Sequence, residues 1–180
     1  MGWGGCLMKL KLAVTDANIF IDLFDVGLMD VFFISELEIH TTVTVFYELH
    51  IGQQAVLESY QSAGKLVVHN LMEQDFIDIH NGHYPKSLSE ADKSVLYVAN
   101  KLNACVLSSD KTVRYWARNK QIEYHGMIWL FDYFVENGAL STTEAKEKLS
   151  VLVTTNFFYR NSRKLVEEVG KRLQKWERLG

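Results

Sequence analysis

The fold is decided in the stretch Leu12-Ala13-Val14-Thr15-Asp16-Ala17-Asn18, where a short apolar run ends in an acid and a helical pattern follows. The apolar run predicts a buried β-strand, and the pattern beyond it predicts a helix. In an open α/β sheet, ligands bind in a crevice at the carboxyl ends of the strands. We therefore expect Asp16 to lie at such a crevice.

The same alternation of strand and helix continues along the chain. Runs at 66–68 and 105–107 are continuously apolar, as expected for strands covered on both faces. The alternation predicts an α/β protein with a central parallel sheet between layers of helices. We expect strands near 11–15, 39–43, 65–69, 104–108 and 122–125, and helices over 18–33, 44–61, 73–83, 89–102, 111–119, 127–137 and 142–155.

Length and composition are those of an ordinary globular domain. The chain has 180 residues, of which 48% are apolar and 23% are charged, so one domain with a sizeable core is expected. The two cysteines, Cys6 and Cys105, indicate a reducing, cytoplasmic setting rather than a disulfide framework. The longest apolar stretch, near 127–131, is interrupted by Asp132 and is too short to span a membrane.

Both ends of the chain differ from its middle. Residues 1–7 are rich in Gly and Trp and predict an N-terminal extension, followed by the main domain over 8–156. Residues 157–180 predict a basic amphipathic C-terminal helix, because Leu165, Val169, Leu173 and Trp176 recur at helical spacing. We expect this apolar stripe to pack on its own domain and the segment to be dispensable for the site described next.

Four acids carry most of the functional information: Asp16, Glu48, Asp92 and Asp110. Asp16, Glu48 and Asp110 each follow a predicted strand within a few residues, and Asp92 lies in the first turn of a predicted helix. The sheet would bring these carboxylates together, and like charges at close range repel unless a cation neutralises them. The set therefore predicts a hard divalent metal ion, Mg²⁺ or Mn²⁺.

Each acid also has a purely structural interpretation. Asp16 and Asp110 could cap the helices that follow them, and Asp92 stands three residues after Ser89 in a capping-box pattern. Glu48 could be an exposed helix residue. Capping does not explain why strand after strand is followed by an acid, so a shared site is the favoured interpretation.

The acids lie in four stretches, 14–23, 45–49, 88–99 and 106–110, whose order and spacing are informative together. They resemble the PIN-domain nucleases, a family that includes the VapC-type toxins of bacterial toxin–antitoxin pairs. The resemblance covers roughly residues 9–140. It implies a three-layer α/β/α sandwich, a Mg²⁺- or Mn²⁺-dependent ribonuclease site, frequent homodimers and, for a toxin, an antitoxin protein as partner.

The resemblance also assigns roles to residues. It implies that Asp16, Glu48, Asp92 and Asp110 are both the catalytic and the metal-binding residues, and Ser108 matches a hydroxyl residue of some members. Some members carry a further acid after the fourth, where this chain has Lys111. Single-stranded RNA is the substrate that the family implies. Candidate contacts to the RNA backbone are Lys93, Lys111, Arg114 and Arg118, with Tyr115 and Trp116 as stacking surfaces.

Two other functions remain open at this point. A haloacid-dehalogenase-like phosphatase would also begin with an acid after the first strand, but it needs a second Asp where this chain has Asn18. A catalytically inactive PIN fold could serve as a binding module. A zinc site at His80 and His83 lacks a third ligand nearby in the sequence, and Cys105 is expected to be buried and inert.

Overall fold

The computed structural model describes residues 11–178, so the extension predicted for 1–7 lies outside the described residues. The sheet has five strands in the order β3-β2-β1-β4-β5, and every neighbouring pair is parallel. The predicted α/β architecture with a central parallel sheet is therefore confirmed. The strands are β1 Lys11–Thr15, β2 Leu37–Thr42, β3 Leu66–His69, β4 Cys105–Leu107 and β5 Tyr124–His125.

Helices fill the connections between the strands. The described residues form α1 Ala17–Val26, α2 Met29–Ile34, α3 Val43–Phe46, α4 Ile51–Ser62, α5 Glu73–Asn81, α6 Glu90–Leu102, α7 Lys111–Asn119, α8 Met127–Glu136, α9 Thr142–Thr155, α10 Phe157–Asn161 and α11 Arg163–Glu177. None of these helices combines the length and the apolar character that a membrane crossing requires.

The middle of the sheet is covered on both faces. Ala13, Val14 and Thr15 in β1 are completely buried, as are Val106 and Leu107 in β4. Because successive side chains of a strand point to opposite faces, burial of neighbouring residues requires packing on both sides. This explains why the strand runs are continuously apolar rather than alternating.

The strand order changes direction at β1. The chain runs from β1 to β2 and β3 on one side and then crosses to β4 and β5 on the other. The register pairs Ala13 with Cys105 and Thr15 with Leu107, so β1 and β4 end level with each other. Connections therefore diverge from the carboxyl ends of these two strands and leave a crevice, where α/β proteins bind their ligands.

One predicted helix is divided in the structure. The helix predicted over 18–33 is interrupted at Gly27, whose φ of 67° lies in the left-handed region and whose N–H bonds back to the last turn of α1. The helices predicted over 44–61 are α3 and α4, which a turn at 47–50 separates. That turn keeps Leu49 buried in the core while it exposes Glu48.

The C-terminal segment packs on the domain, as its apolar stripe predicted. It forms two helices rather than one, because Ser162 ends α10 and caps α11. Tyr159, Val169 and Trp176 are buried and belong to the same hydrophobic core as the strands. Arg172 adds a hydrogen-bonded ion pair with Asp132 of α8, with Nε and the carboxylate oxygen 3.0 Å apart. The segment is thus part of the folded core.

Candidate active site

Asp16 lies at the crevice, directly after β1. Its side chain is only 2% exposed. One carboxylate oxygen, Oδ1, accepts a hydrogen bond from the N–H of Ile19 at 3.0 Å and so caps α1. The other, Oδ2, is buried and has no hydrogen-bond partner within residues 11–178. Asp16 is therefore a helix cap with one oxygen left over, and a buried carboxylate oxygen without a donor is a natural cation ligand.

The protonation of Asp16 reflects this burial. Burial raises the pKa of Asp16 to about 7, which the nearby Ser108 hydroxyl and the Ile19 amide oppose only in part. The negative charges of Asp92 and Asp110 raise this pKa further. A bound cation would act in the opposite direction and favour the carboxylate.

Asp110 reaches the crevice from β4 through the short connection 108–110. Its Oδ1 accepts hydrogen bonds from the N–H groups of Thr112 at 2.7 Å and Val113 at 3.0 Å, which caps α7. Its own N–H donates to the Ser108 hydroxyl at 3.1 Å. Oδ2 of Asp110 makes no hydrogen bond to another described residue, so this acid repeats the arrangement of Asp16: one oxygen caps and one is free.

Asp92 follows the same pattern at the start of α6. Its Oδ2 accepts from the N–H of Ser89 at 2.9 Å, and its N–H donates to the Ser89 hydroxyl at 3.1 Å. The predicted capping box is confirmed. Oδ1 of Asp92 has no hydrogen bond within the part of the chain that the structure describes.

Glu48 is the most exposed of the four acids and lies in the turn between α3 and α4. The Thr42 and Ser94 hydroxyls hydrogen-bond at 2.7 Å and hold the start of α3 beside α6, which carries Asp92. Partial burial raises the pKa of Glu48, and the charge of Asp92 raises it further. Asp92 is therefore the acid that links Glu48 electrostatically to the other members of the set.

The four acids influence one another electrostatically, but in this structure they do not form a complete set of metal ligands. The charges of Asp92 and Asp110 raise the pKa of Asp16, and the charge of Asp92 raises that of Glu48. Within residues 11–178, no three His, Cys, Asp or Glu side chains are close enough together to hold a metal ion. Repulsion between like charges keeps uncompensated carboxylates apart. A shared ion thus requires the free oxygens, above all those of the more exposed Glu48 and Asp92, to turn inward.

A buried polar group behind the acids escaped the sequence analysis. Tyr159 of α10 is 2% exposed, and its hydroxyl lies 3.1 Å from the hydroxyl of Ser109 and 3.5 Å from Oδ2 of Asp22. The side-chain N–H of Asn156 donates to Oδ1 of Asp22 at 2.8 Å. These contacts tie the connection that carries Asp110 to α1, which Asp16 caps.

Burial strongly perturbs both members of this group. The pKa of Asp22 is raised to about 6, chiefly by burial, and burial together with the Asp22 charge raises the pKa of the Tyr159 phenol. One signal for Asp22 was present in the sequence, since this acid stands between Ile21 and Leu23 on a largely apolar helix. Nothing near Asp22 in the sequence indicated that Asn156 and Tyr159 are its hydrogen-bond partners.

The remaining candidate residues differ in how exposed they are and in what surrounds them. Tyr115 is 61% exposed, whereas Trp116 is half-buried and packs beside Tyr84, with ring centroids 6.2 Å apart. Cys105 is buried, which raises its pKa to about 11 and makes the thiol unreactive. His80 and His83 belong to no cluster of three potential metal ligands in the described chain.

Fold and site together define a class: an α/β protein with an acidic crevice at the switch point of a parallel sheet. A family model described as a PIN domain matches residues 12–175. The chain therefore belongs to the PIN-domain family, whose members are generally nucleases, and the resemblance inferred from the sequence is confirmed. The match extends beyond the region 9–140 and includes most of α11.

Comparison with individual proteins adds little to this assignment. No curated protein matches the chain significantly. Among solved structures, the chain is similar to a PilT N-terminus domain protein from the hyperthermophilic archaeon Sulfolobus solfataricus P2. The two share 16% sequence identity with a TM-score of 0.39, and the match covers 66% of this chain and 89% of that one.

Proposed function

We propose that this protein is a Mg²⁺- or Mn²⁺-dependent endoribonuclease that hydrolyses phosphodiester bonds of single-stranded RNA. The observation that carries the proposal is Oδ2 of Asp16, a buried carboxylate oxygen without a hydrogen-bond donor among the described residues. Oxygen atoms of this kind are the ligands that Mg²⁺ and Mn²⁺ prefer. Membership of a family of nucleases supports the same conclusion.

The proposed roles follow from how each acid is held. Asp16 and Asp110 would bind the ion directly, because capping bonds fix one oxygen of each and leave the other free. Glu48 and Asp92 would complete the ligand set, partly through water, since Mg²⁺ keeps several waters. When bound, such an ion activates water and offsets charge on the attacked phosphate. The exposed Asn18 lies in the first turn of α1, where it would orient a substrate phosphate.

A cleavage assay tests this proposal. The purified protein is incubated with a labelled mixed-sequence RNA, with Mn²⁺ or with EDTA, beside Asp16→Asn, Asp110→Asn and the control Glu58→Gln. Glu58 is exposed on α4 and makes no hydrogen bond or ion pair with another described residue. We expect Mn²⁺-dependent cleavage by the parent and by Glu58→Gln only. Equal cleavage by Asp16→Asn and the parent would refute the proposed site.

The same preparation distinguishes the alternative functions. A phosphatase would release phosphate from a small phosphomonoester and leave RNA intact. An inactive binding module would neither cleave RNA nor bind Mn²⁺ in calorimetry. Either result replaces the nuclease proposal.

We also propose that the protein acts as a homodimer. Tyr47 and Ile51, at the turn before α4, are 73% and 87% exposed, and closed two-fold dimers are the commonest oligomers. Light scattering that gives the mass of one chain at tens of micromolar would contradict the dimer. If the protein is a toxin, an antitoxin is its further partner, and a small DNA-binding protein encoded in the adjacent reading frame is the expected sign.

A further inference from the structure

A cavity of about 540 Å³ opens beside the acidic crevice. Its walls come from α7, from the turn between β5 and α8, and from α10 and α11. Ser109, the neighbour of Asp110 in sequence, lines it together with Tyr159. The cavity therefore adjoins the connection that carries the fourth acid, and the C-terminal helices form one of its walls.

The lining is strongly basic in a chain whose net charge is −3. Among the described residues it contains a single acid, Glu168 of α11, which is already bound to Arg172 at 2.6 Å. The other lining cations have no carboxylate within 4.0 Å among residues 11–178; they are Lys111, Arg114, Arg118 and Lys164. Such an excess of uncompensated positive charge is the electrostatic footprint of a polyanion site.

Aromatic rings hold some of these cations in place. Nζ of Lys111 lies 5.9 Å from the ring centroid of Phe158, and the Arg114 guanidinium lies 5.4 Å from that of Tyr124. Cation–π contacts of this kind position a charge without neutralising it. Tyr115 and Phe158 also line the cavity and are 61% and 41% exposed, so ring surface remains open for stacking.

We propose that this cavity binds the backbone phosphates of the RNA segment that flanks the bond cut at the four acids. The inference rests on the proposed function, and it adds that α11 supplies part of the RNA-binding surface through Lys164. Unpaired cations at positions i, i+3 and i+7 of α7, beside exposed rings, match a single-stranded nucleic acid, in which phosphates and bases alternate. Lys111 stands next to Asp110 in the sequence and lines the cavity, so it connects the crevice with this surface.

Binding without cleavage tests the proposal independently of catalysis. Fluorescence anisotropy is measured in EDTA with a labelled single-stranded RNA of mixed sequence, about 12 nucleotides long. The variant is Arg118→Gln with Lys164→Gln, and the matched control is Lys65→Gln. Arg118 and Lys164 are exposed, so neither substitution disturbs the core, while the exposed Lys65 precedes β3 at the opposite edge of the sheet.

We expect the double variant to bind the RNA at least about five-fold more weakly than the parent, and Lys65→Gln to bind like the parent. The slope of log affinity against log salt concentration should fall by roughly 0.7 for each phosphate that the variant no longer neutralises. Unchanged RNA affinity and slope in the double variant would overturn the inference. Binding of poly-glutamate but not of RNA would overturn it as well and assign the cavity to an acidic protein.

The two proposals fail in different ways. If the parent cleaves RNA with Mn²⁺ and the double variant binds RNA normally, the nuclease stands and the cavity does not bind RNA. If no RNA is cleaved but the double variant loses affinity, the cavity stands as an RNA-binding surface and the nuclease proposal falls.

Discussion

At the scale of single residues, helix capping and metal binding do not exclude each other in this protein. Asp16, Asp92 and Asp110 each use one carboxylate oxygen to satisfy N–H groups at a helix start. Such bonds restrict the side-chain rotamer and leave the second oxygen without a donor. The structural interpretation of each acid thus describes how the acid is held, and the functional interpretation concerns the oxygen that capping leaves free.

Asp16 gives the first prediction. Its pKa, about 7, is above the ordinary value of 3.8, so the ionised carboxylate costs folding free energy at pH 7.5 unless a cation compensates it. Asn caps helices as well as Asp does. Asp16→Asn should therefore keep or slightly raise the melting temperature in EDTA. Excess Mn²⁺ should stabilise the parent by about 2.7 kcal/mol at 100 times its Kd and the variant much less, as scanning fluorimetry can measure.

Two results would contradict this account of Asp16. Equal stabilisation of parent and variant by Mn²⁺ would place the ion elsewhere. A large loss of stability in EDTA would mean that the charge of Asp16 supports the fold.

Asp22 gives a prediction about pH. Its folded pKa of about 6 exceeds the ordinary value of 3.8, so its contribution to stability is complete below pH 4 and is lost as pH rises through 6. Asp22→Asn retains the shape and can still accept from Asn156, but it cannot titrate. Between pH 4.5 and 7 the parent should therefore lose on the order of 2 kcal/mol more unfolding free energy than the variant.

Urea titrations of both proteins at the two pH values give this difference directly. Since Asp16 titrates in both proteins, its contribution cancels. Identical pH dependence in parent and variant would show that Asp22 is not held as a neutral acid.

At the scale of secondary structure elements, β1, β3 and β4 were predictable because each is a largely apolar run that a turn or a polar residue follows, and the alternation with helical patterns indicated β2 and β5. The sequence did not predict the helix end at Gly27, whose φ is 67°, or the position of the turn at 47–50, because both depend on how the chain packs. The candidate site residues could be named for a similar reason, and their role stays a prediction. Acids after strands are visible in the sequence, whereas the orientation of their free oxygens depends on tertiary contacts such as that between Thr42 and Ser94.

Two glycines in contrasting places test this description of the helices. Gly27 has a φ of 67°, which strains any residue with a Cβ, whereas Gly170 within α11 has open space around its Cβ position. Gly27→Ala should lower the free energy of unfolding by about 1 kcal/mol, and Gly170→Ala should raise it by about 0.5–1 kcal/mol. Chemical denaturation measures both. A stabilising Gly27→Ala would contradict the helix end described here.

At the scale of the whole molecule, the C-terminal segment is where sequence reasoning was incomplete. Its amphipathic stripe was visible, and the packing of that stripe was predicted. The hydroxyl of Tyr159 and the carboxylate of Asp22, however, are 137 residues apart in the chain. No pattern within 157–180 could reveal that its first helix supports the connection that carries Asp110. The segment therefore looked separable in the sequence, whereas the structure packs it into the core; its dispensability for the site stays a prediction.

Removal of this segment provides the last prediction. A chain that ends at Asn156 loses Tyr159, Val169 and Trp176, which are 2%, 4% and 1% exposed in the full chain, and uncovers the surface beneath them. Loss of one buried Trp side chain alone costs about 3–5 kcal/mol. We expect the truncated chain, and the full-length Trp176→Ala variant, to unfold at much lower urea concentrations in circular dichroism. Val166→Ala, at a side chain 43% exposed on the same helix, should change little. A truncated chain as stable as the parent and equally able to bind Mn²⁺ would show that the segment is dispensable after all.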